Sequence, residues 1–368
     1  MQKQVHSDAL PVVCLHEDRP DYLVGVKLAV ASLARHAPQL RVIVSCPNAN
    51  AEFVDWVRAQ PNAEVRVLRH LRGAGFNVKP SVLLELLESH RSVVWIDSDI
   101  IISGNVDKWF APYTDHLLAT EETYWGQQQG GDFRTSAWGL EPARRMTCTV
   151  NSGVVQVTRE HVELLQDWQT MLAHPSYLKA QSRPWYERPV HMIGDQEVLT
   201  GLLGSSEFSQ LPITLLKRGT DIAQCFGPAG FTPMERLHAL VGRGPSFIHA
   251  MGPKPWLRPA RPVRIVPSKK KATTLRDWYT YLALDVSPYC VEARSYAGKP
   301  GLDVAWAWPR STFGKFLCAV GSKHPGTGFA ARRIRSLRAT AQESVPDRRL
   351  LQQRGVHADA ATVLEQSG

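Results

Sequence analysis

Two aspartates one residue apart interrupt an otherwise apolar run. Asp97 and Asp99 lie within VVWIDSDIII at residues 93–102, a β-branched run typical of a strand buried on both faces. Residues i and i+2 of an extended chain point to the same side, so both carboxylates can reach one hard cation if the strand turns outward. A divalent metal ion and a phosphate-bearing substrate would offset their mutual repulsion. An Asp-Ser-Asp sequence is also typical of a surface turn, and the tripeptide alone leaves both interpretations open.

A lysine and a polar triplet flank this pair along the chain. Lys79 stands at the entrance of a predicted helix, where it could bind a phosphate or a sugar or remain a solvated loop cation. Asn151, Ser152 and Gly153 lie inside a predicted strand at residues 149–157. Glycine in a strand interior commonly marks the close approach of a ligand or of another backbone. The triplet is therefore a second candidate for a binding site.

Further along, the chain supplies another acid, an amide, a histidine and a lysine. Asp195 and Gln196 stand near a predicted helix start, where an N-cap aspartate is common for structural reasons alone. In the stretch FIHAMGPKPW, His249 closes an apolar trio, Gly252 permits a tight turn and Lys254 follows closely. Neutral imidazole binds divalent metals and lysine pairs with diphosphates, so this stretch could complete a site begun by the two aspartates. A lone histidine beside a strand also suits a core or surface position.

The elements that position these residues alternate between strand and helix. Apolar periodicity predicts strands at residues 10–15, 41–46 and 64–70, and helices at 23–35, 50–60 and 81–89. A βαβαβ start is typical of a doubly wound α/β domain, in which ligands bind at the carboxyl ends of the strands. Asp97 and Asp99 stand at such an end. A long polar stretch at residues 121–147 is predicted to be a loop that faces an acceptor.

The composition bounds the class of protein. The chain has 368 residues, of which 43% are hydrophobic, and this suits a globular enzyme with a sizeable core. It contains no apolar stretch of about 18 residues and no basic-then-apolar leader at its start, so we expect neither a membrane span nor export. The six cysteines form no C-x-x-C pair, which argues against a structural zinc site. A reducing cytoplasm is the expected location.

The charge is unevenly distributed. Residues 1–253 hold 23 Lys and Arg against 26 Asp and Glu, whereas residues 254–355 hold 20 against 6. The second block interleaves its cations with tryptophan and phenylalanine, a composition that suits an interfacial helix on an anionic membrane. A solvated basic face packed on the core is an equal alternative, and nucleic acid is a weaker one because no recognised binding motif accompanies the charge. The block is therefore either a docking module, peripheral to the inner face of the membrane, or a solvated basic face of the core.

In this order, the motifs resemble those of the retaining glycosyltransferases of GT-A fold grouped as family 8, which include glycogenin and bacterial lipopolysaccharide galactosyltransferases. The matches are a lysine before a helix, the D-x-D strand end, an N-[AS]-G strand and a DQ-[DE] helix start, here Lys79, Asp97, Asp99, Asn151, Ser152, Gly153, Asp195, Gln196 and Glu197. The family closes with H-x-x-G-x-x-K-P-W, and this chain has HAMGPKPW, which is one residue shorter between Gly252 and Lys254. Members of the family usually carry acidic or Asn residues just before a tyrosine in the first loop. The first loop of this chain, HEDRPDY, contains such residues in a stretched arrangement. The resemblance covers about residues 10–257.

The resemblance implies a GT-A fold, a Rossmann-like doubly wound mixed sheet. Residues 1–257 would form the catalytic domain and residues 258–368 a basic, mostly helical C-terminal extension. It implies a metal-dependent transfer of a hexose from a UDP-sugar to a glycan or glycolipid hydroxyl, in cell-surface polysaccharide synthesis.

The resemblance also assigns the site residues. It implies that Asp97, Asp99 and His249 bind Mn²⁺ or Mg²⁺, and that Asp195, Gln196 and Lys254 act in catalysis. The residues expected to bind the UDP-sugar are Lys79, Asp97, Asp99, Asn151, Ser152, Gly153, Gly252 and Lys254, with Asp21 and Tyr22 of the first loop.

Two other classes remain open from the sequence. The shortened HAMGPKPW motif is compatible with a non-catalytic sugar-nucleotide-binding protein, which would bind UDP without turnover. A metal-dependent nucleotidyltransferase shares the α/β core and the metal-carboxylate site, but normally carries a Gly-rich, basic loop after the first strand. HEDRPDY is neither Gly-rich nor markedly basic.

Overall fold

The computed structural model describes residues 10–110, 116–122, 129–225, 233–242, 244–252, 254–257, 285–309 and 312–321. The strands are β1 (Val12–His16), β2 (Val42–Ser45), β3 (Ala63–Val65), β4 (Ser92–Ile96), β5 (Ile100–Ile102), β6 (Leu117–Glu122), β7 (Gln129–Gly131), β8 (Met146–Thr158), β9 (Ile213–Leu216), β10 (Ile222–Gln224) and β11 (Phe247–His249). The α-helices are α1 (Leu23–His36), α2 (Ala51–Arg58), α3 (Lys79–Leu87), α4 (Asp107–Phe110), α5 (Phe133–Ala137), α6 (Val162–Leu172), α7 (Pro175–Gln181), α8 (Asp195–Leu203), α9 (Pro233–Leu240), α10 (Pro288–Ala293) and α11 (Thr312–Gly321).

The main sheet is mixed. Its strand order is β3-β2-β1-β4-β8-β6-β9, and β7 pairs with β8 off this path. Strands β3, β2, β1 and β4 are parallel, whereas β8 runs antiparallel to both of its neighbours, β4 and β6. The expectation of a mixed α/β sheet is confirmed.

Helices cover both faces of this sheet. Val13 and Val94 belong to an apolar cluster with residues of α1 and α2, while their chain neighbours Cys14 and Trp95 belong to a second cluster with residues of α3, α6 and α8. Successive residues of a strand point to opposite faces, which is why residues 12–15 of β1 and 93–96 of β4 form continuous apolar runs instead of alternating. The predicted doubly wound arrangement is therefore present.

The apolar run around the two aspartates is not one strand. It divides into β4 and β5, which belong to different sheets, because β5 pairs with β11 in a small sheet of order β10-β11-β5. The chain turns between them, where the backbone N–H of Ile100 donates to the carbonyl of Asp97 at 3.1 Å. The single strand predicted over residues 93–102 is wrong, and the outward turn considered at the aspartates is present.

Two other elements differ from their prediction. Strand β3 ends at Val65 instead of continuing to residue 70, and the backbone N–H groups of Arg69 and His70 donate to the Glu85 carboxylate instead of to a neighbouring strand. The polar stretch at residues 121–147 contains β7 and α5 and is not a loop throughout.

The residues after 285 pack on the domain described above. Tyr289 and Tyr296 are buried in a cluster with Leu28 of α1, Ile101 of β5 and Ile248 of β11. The boundary predicted after residue 257 stays a prediction. Much of the basic, mostly helical extension predicted over residues 258–368 lies outside the described residues, namely residues 258–284, 310–311 and 322–368. Within the described ranges, no helix combines the length and apolar character that crossing a membrane requires.

A buried serine joins α1 to β5, and its removal tests how firmly the small sheet is held. Ser32 Oγ accepts from the backbone N–H of Ile102 at 3.0 Å and donates to the carbonyl of Ala29 at 2.8 Å. Ser32→Ala leaves the buried N–H unpaired, so we expect urea denaturation to give a loss of about 1–3 kcal/mol in unfolding free energy. Ser89→Ala, at an exposed serine, is the control and should change little; an equal loss in both variants would contradict this role of Ser32.

Candidate active site

A cleft of about 240 Å³ lies at the carboxyl ends of β1 and β4. Ten of the predicted site residues line it: Lys79, Asp97, Asp99, Asn151, Ser152, Asp195, Gln196, His249, Gly252 and Lys254. These residues come from both sheets, from α3 and from α8. Site residues that were predicted from separate parts of the sequence therefore lie together in the structure.

Two aspartates and a histidine form a potential metal site. Asp97, Asp99 and His249 each offer one ligand atom, and these three atoms lie within 4.8 Å of one another. His249 Nε2 is 3.3 Å from Asp99 Oδ1 and 4.0 Å from Asp97 Oδ2. Trp95 Nε1 donates to the other oxygen of Asp97 at 2.7 Å, which orients that carboxylate. Carboxylate oxygens with one imidazole are a donor set that suits a divalent metal ion.

The pairing of β5 with β11 brings the histidine to the aspartates. His249 pairs with Ile100, the residue directly after Asp99, in the antiparallel register of these strands. Gly153 lies against the other side of the imidazole, where an added Cβ would stand 2.8 Å from His249 Cε1. The glycine in the strand therefore permits a close approach by the histidine ring.

Lys254 reaches the aspartates despite the shortened motif. Its ammonium contacts Asp99 Oδ2 and donates to the carbonyl of Ala250 at 2.8 Å. Gly252 makes the intervening turn with φ +74°, a conformation that favours glycine. Burial opposes the charged form of Asp99, but Lys254 and His249 outweigh it and hold the pKa of Asp99 well below its usual range.

Lys79 is a buried cation at the start of α3. Its ammonium donates to Ser152 Oγ at 2.8 Å and lies 3.1 Å from Asp97 Oδ1 and 3.3 Å from Asp195 Oδ2. Burial disfavours the ammonium, yet the attraction of Asp195 and Asp97 is stronger and raises the pKa of Lys79. The solvated loop cation considered from the sequence is excluded by this burial.

Asp195 is not an N-cap. Gly194 holds that position, and Asp195 is the first residue of α8, with its carboxylate turned to Lys79 and to Ser152 Oγ, which donates to it at 2.6 Å. Trp168 Nε1 donates to the backbone carbonyl of Asp195 at 3.0 Å. Burial raises the pKa of Asp195, against the opposing effect of Lys79.

A network of amides and acids surrounds Gln196. Its Nε2 donates to Glu122 Oε2 at 3.0 Å and to Glu197 Oε1 at 3.3 Å, and its Oε1 accepts from Asn151 Nδ2 at 3.0 Å. Asn151 Nδ2 also donates to Glu122 at 2.8 Å. Glu122 was not among the predicted site residues. It is the last residue of β6 and follows Thr120 and Glu121, so no apolar run ends at it as one ends at Asp97.

The first loop enters the cleft by residues other than those predicted. Glu17, Asp18 and Arg19 line the cleft, whereas Asp21 and Tyr22 lie outside its lining. Asp21 is exposed, and its carbonyl accepts from Trp256 Nε1. The Tyr22 ring packs against the Trp256 ring and the Arg19 guanidinium. The spacing from the tyrosine, carried over from the resemblance, therefore does not locate the lining acids.

Glu17 joins this loop to the aspartate turn. Its Oε2 accepts from Ser98 Oγ at 2.7 Å, and Arg19 donates to both of its oxygens, from Nε at 2.6 Å and from Nη2 at 2.9 Å. Ser98 stands between the two aspartates, so the buried Glu17 carboxylate restrains the turn that carries them.

Comparisons with protein-family models and with curated proteins give no match to this chain. Solved structures give likenesses at low identity. The bifunctional glycosyltransferase WbbM has TM-score 0.44 and 14% identity, over 69% of this chain and 48% of WbbM. The glycosyltransferase GlyE of Streptococcus pneumoniae has TM-score 0.42 and 12% identity, over 78% of this chain and 63% of GlyE. The galactosyltransferase LgtC, in complex with donor and acceptor sugar analogues, has TM-score 0.42 and 15% identity, over 72% of this chain and 94% of LgtC.

The chain thus spans about half the length of WbbM and less than two thirds of GlyE.

The buried acid Glu197 predicts a specific pH dependence of stability. Burial raises its pKa from 4.5 to about 8, although Arg134 opposes this shift. Between these values the folded chain holds the Glu197 proton more tightly than the unfolded chain, so its contribution to stability is complete below 4.5 and is lost as pH rises through about 8. Glu197→Gln should remove this dependence.

Urea denaturation at a series of pH values measures it. Relative to the wild type, the unfolding free energy of Glu197→Gln should rise as pH increases from about 5 to about 8. Glu163→Gln, an exposed glutamate of α6, is the control. Curves for Glu197→Gln and the wild type that stay parallel over this window would contradict the shifted pKa.

Proposed function

We propose that this chain is a metal-dependent retaining glycosyltransferase of GT-A fold. It would transfer a hexose from a UDP-sugar to a hydroxyl of a glycan or glycolipid acceptor in cell-surface polysaccharide synthesis. The observation that carries the proposal is the single cleft in which two carboxylates and an imidazole converge between two lysines. A diphosphate is a substrate group that needs both the metal and the cations, because it brings two or more negative charges to one place.

The donor set of Asp97, Asp99 and His249 fits a divalent metal. The two carboxylate oxygens and the imidazole nitrogen converge on one point and are accessible from the cleft. When bound, Mn²⁺ or Mg²⁺ supplies Lewis-acid neutralisation of charge on the departing diphosphate.

The two lysines would serve different parts of the donor. Lys254 lies on the short turn after β11, contacts a ligand carboxylate, and would stabilise the charge that grows on the leaving diphosphate. Lys79 is held by Ser152, Asp97 and Asp195, and so contacts the other ligand carboxylate. With Asp195, it would orient the hydroxyl groups of the donor sugar, because a rigid cation and carboxylate pair can donate to and accept from neighbouring hydroxyls.

Gln196 would face the reacting carbon. An amide is a poor nucleophile compared with a carboxylate, which disfavours a covalent intermediate on this residue. Retention is then best explained by attack of the acceptor hydroxyl on the face that the diphosphate leaves, with the leaving phosphate oxygen accepting the hydroxyl proton. In this route the Gln196 carbonyl stabilises the positive charge that develops at the anomeric carbon.

A non-catalytic binding protein is the main alternative. It was suggested by the missing residue before Lys254, which could have kept this lysine from the site. The contact between Lys254 and Asp99 supports the catalytic interpretation instead. Turnover decides between them: release of UDP in the presence of Mn²⁺ supports an enzyme, and tight UDP binding without release supports a binding protein.

Substitution of the metal ligands tests the proposal. Asp97→Asn and Asp99→Asn should each lower the rate of UDP release by at least about a hundredfold while the fold persists, since each removes a charged ligand. His249→Ala should weaken Mn²⁺ binding in a titration of the same activity. Rates are measured over UDP-glucose, UDP-galactose and their N-acetyl forms, and Asp55→Asn on the exposed side of α2 is the control. A rate of UDP release near that of the wild type with both aspartates replaced would contradict the metal-site assignment.

We further propose that the basic C-terminal block docks the enzyme on the inner face of the membrane. Each Lys or Arg near an anionic surface contributes about 1 kcal/mol, and the attraction weakens with added salt. The described residues after 285 pack on the core, where Trp56 Nε1 donates to the carbonyl of Pro300 at 2.9 Å and Lys27 donates to that of Gly301 at 3.0 Å. A truncation that tests docking should therefore come after residue 321, not before residue 300.

Vesicle sedimentation tests this docking. A chain that ends at Gly321 and carries Lys269→Gln, Lys270→Gln and Lys271→Gln should lose binding to anionic vesicles and keep its UDP release with a soluble acceptor. Neutral vesicles are the control. If the unmodified chain does not bind anionic vesicles at low salt, the basic C-terminal block does not dock the protein on a membrane.

A further inference from the structure

Two buried glutamates lie behind Gln196, and neither has a role in the mechanism above. Glu122 ends β6 and Glu197 follows Gln196 in α8, and only about 1% and 3% of these residues is exposed. Burying a carboxylate is costly unless hydrogen bonds or charges compensate it. Their partners include the amides that border the cleft, which suggests that they act through those amides.

The hydrogen bonds determine on which side each side-chain amide, of Asn151 and of Gln196, carries its oxygen and its nitrogen. The backbone N–H of Gly153 donates to Asn151 Oδ1 at 2.9 Å, which leaves Asn151 Nδ2 to donate to Gln196 Oε1 at 3.0 Å. Gln196 Nε2 then donates to Glu122 and to Glu197. Both N–H groups of the Gln196 side chain therefore donate to acids. If the amide flipped, its oxygen would face the Glu122 carboxylate, which cannot donate a hydrogen bond to it.

We propose that Glu122 is a positioning residue that fixes the Gln196 amide so that the cleft meets its carbonyl oxygen and none of its N–H groups. The carbonyl oxygen has two lone pairs, of which Asn151 uses one. Because Gln196 lines the cleft and both of its N–H groups donate to acids, the other is available to the cleft as the negative end of the amide dipole. This inference rests on the proposed function, because a negative dipole end is useful where positive charge develops on a sugar carbon.

Glu122 rather than Glu197 is the decisive acid. One oxygen of Glu122 accepts from both Asn151, at 2.8 Å, and Gln196, at 3.0 Å, so it orients the two amides together. Glu197 contacts only Gln196 of these two, at a longer 3.3 Å. Its raised pKa of about 8 makes it a protonated acid at neutral pH, and a protonated acid could also donate to a flipped amide.

Glu122→Met tests the role, because methionine fills a similar volume and accepts no strong hydrogen bond. In the full-length chain carrying ¹⁵N-labelled glutamine side chains, the Gln196 NH₂ resonances are assigned by their loss in Gln196→Glu. We expect their solvent exchange to be at least about tenfold faster in Glu122→Met than in the wild type, since a charged hydrogen bond is lost. We also expect kcat to fall at least about tenfold while the donor KM changes less than about threefold.

Two variants calibrate this result. Glu122→Gln retains an oxygen that can accept from both amides without the charge, so its exchange and kcat should lie between those of Glu122→Met and the wild type. It also keeps the test available if Glu122→Met fails to fold. Asp221→Asn is the matched control: Asp221 is buried, accepts from the backbone N–H of Lys217 at 2.8 Å and lies outside the cleft lining. It should leave the Gln196 resonances and kcat unchanged.

The outcomes separate the inference from the proposed function. Unchanged Gln196 exchange in both Glu122 variants overturns the positioning role, whatever happens to activity. Faster exchange with an unchanged kcat overturns it as well. If the wild type turns over no UDP-sugar, the proposed function fails, and the exchange data by themselves still decide whether Glu122 holds the amide.

Discussion

Repulsion between two neighbouring carboxylates is the constraint around which this molecule is arranged. Asp97 and Asp99 are separated by one residue and face a cleft of limited volume, so their charges must be balanced locally. The cations that balance them come from distant parts of the chain: Lys79 from the start of α3 and Lys254 from the turn after β11. The packing of α3 and of the small sheet is therefore tied to the electrostatics of one turn.

The passage of the chain from the main sheet into the small sheet determines where these two carboxylates point. A strand that continued straight through the aspartates would direct both carboxylates to one face of a sheet covered by helices. By leaving the main sheet after Ile96 and entering the small sheet at Ile100, the chain opens a turn toward the cleft. The restraint of Ser98 by Glu17 then keeps this turn in place.

Much of the fold could be predicted from the sequence, because the parallel strands and their helices follow regular apolar periods. The sequence also named ten of the residues that line the cleft. Each of them alone also suits a structural position, and it is their order along the chain, which resembles that of a known family, that singled them out. What it missed depends on pairing at long range. The break between β4 and β5 is set by β11, which lies about 150 residues further along the chain and has no local marker.

The same limit explains the first loop and the buried acids. Asp21 lies inside a short 3₁₀ turn, Pro20–Tyr22, whereas Glu17 and Arg19 precede it, and a spacing rule cannot specify where such a turn begins. Glu122 is recognisable only once β6 is known to lie beside β8, because its partners Asn151 and Gln196 belong to other elements.

The place of β11 in the chain also bears on biosynthesis. Its strand partner β5 is made early, yet His249 and the cluster around Tyr289 that packs beneath it are made more than a hundred residues later. During synthesis from the N-terminus, the large sheet can collapse while the aspartate turn still lacks its histidine and its second lysine. A nascent chain in this state has the scaffold of the cleft without its imidazole and its second ammonium group, so the site is completed only late in the synthesis of each molecule.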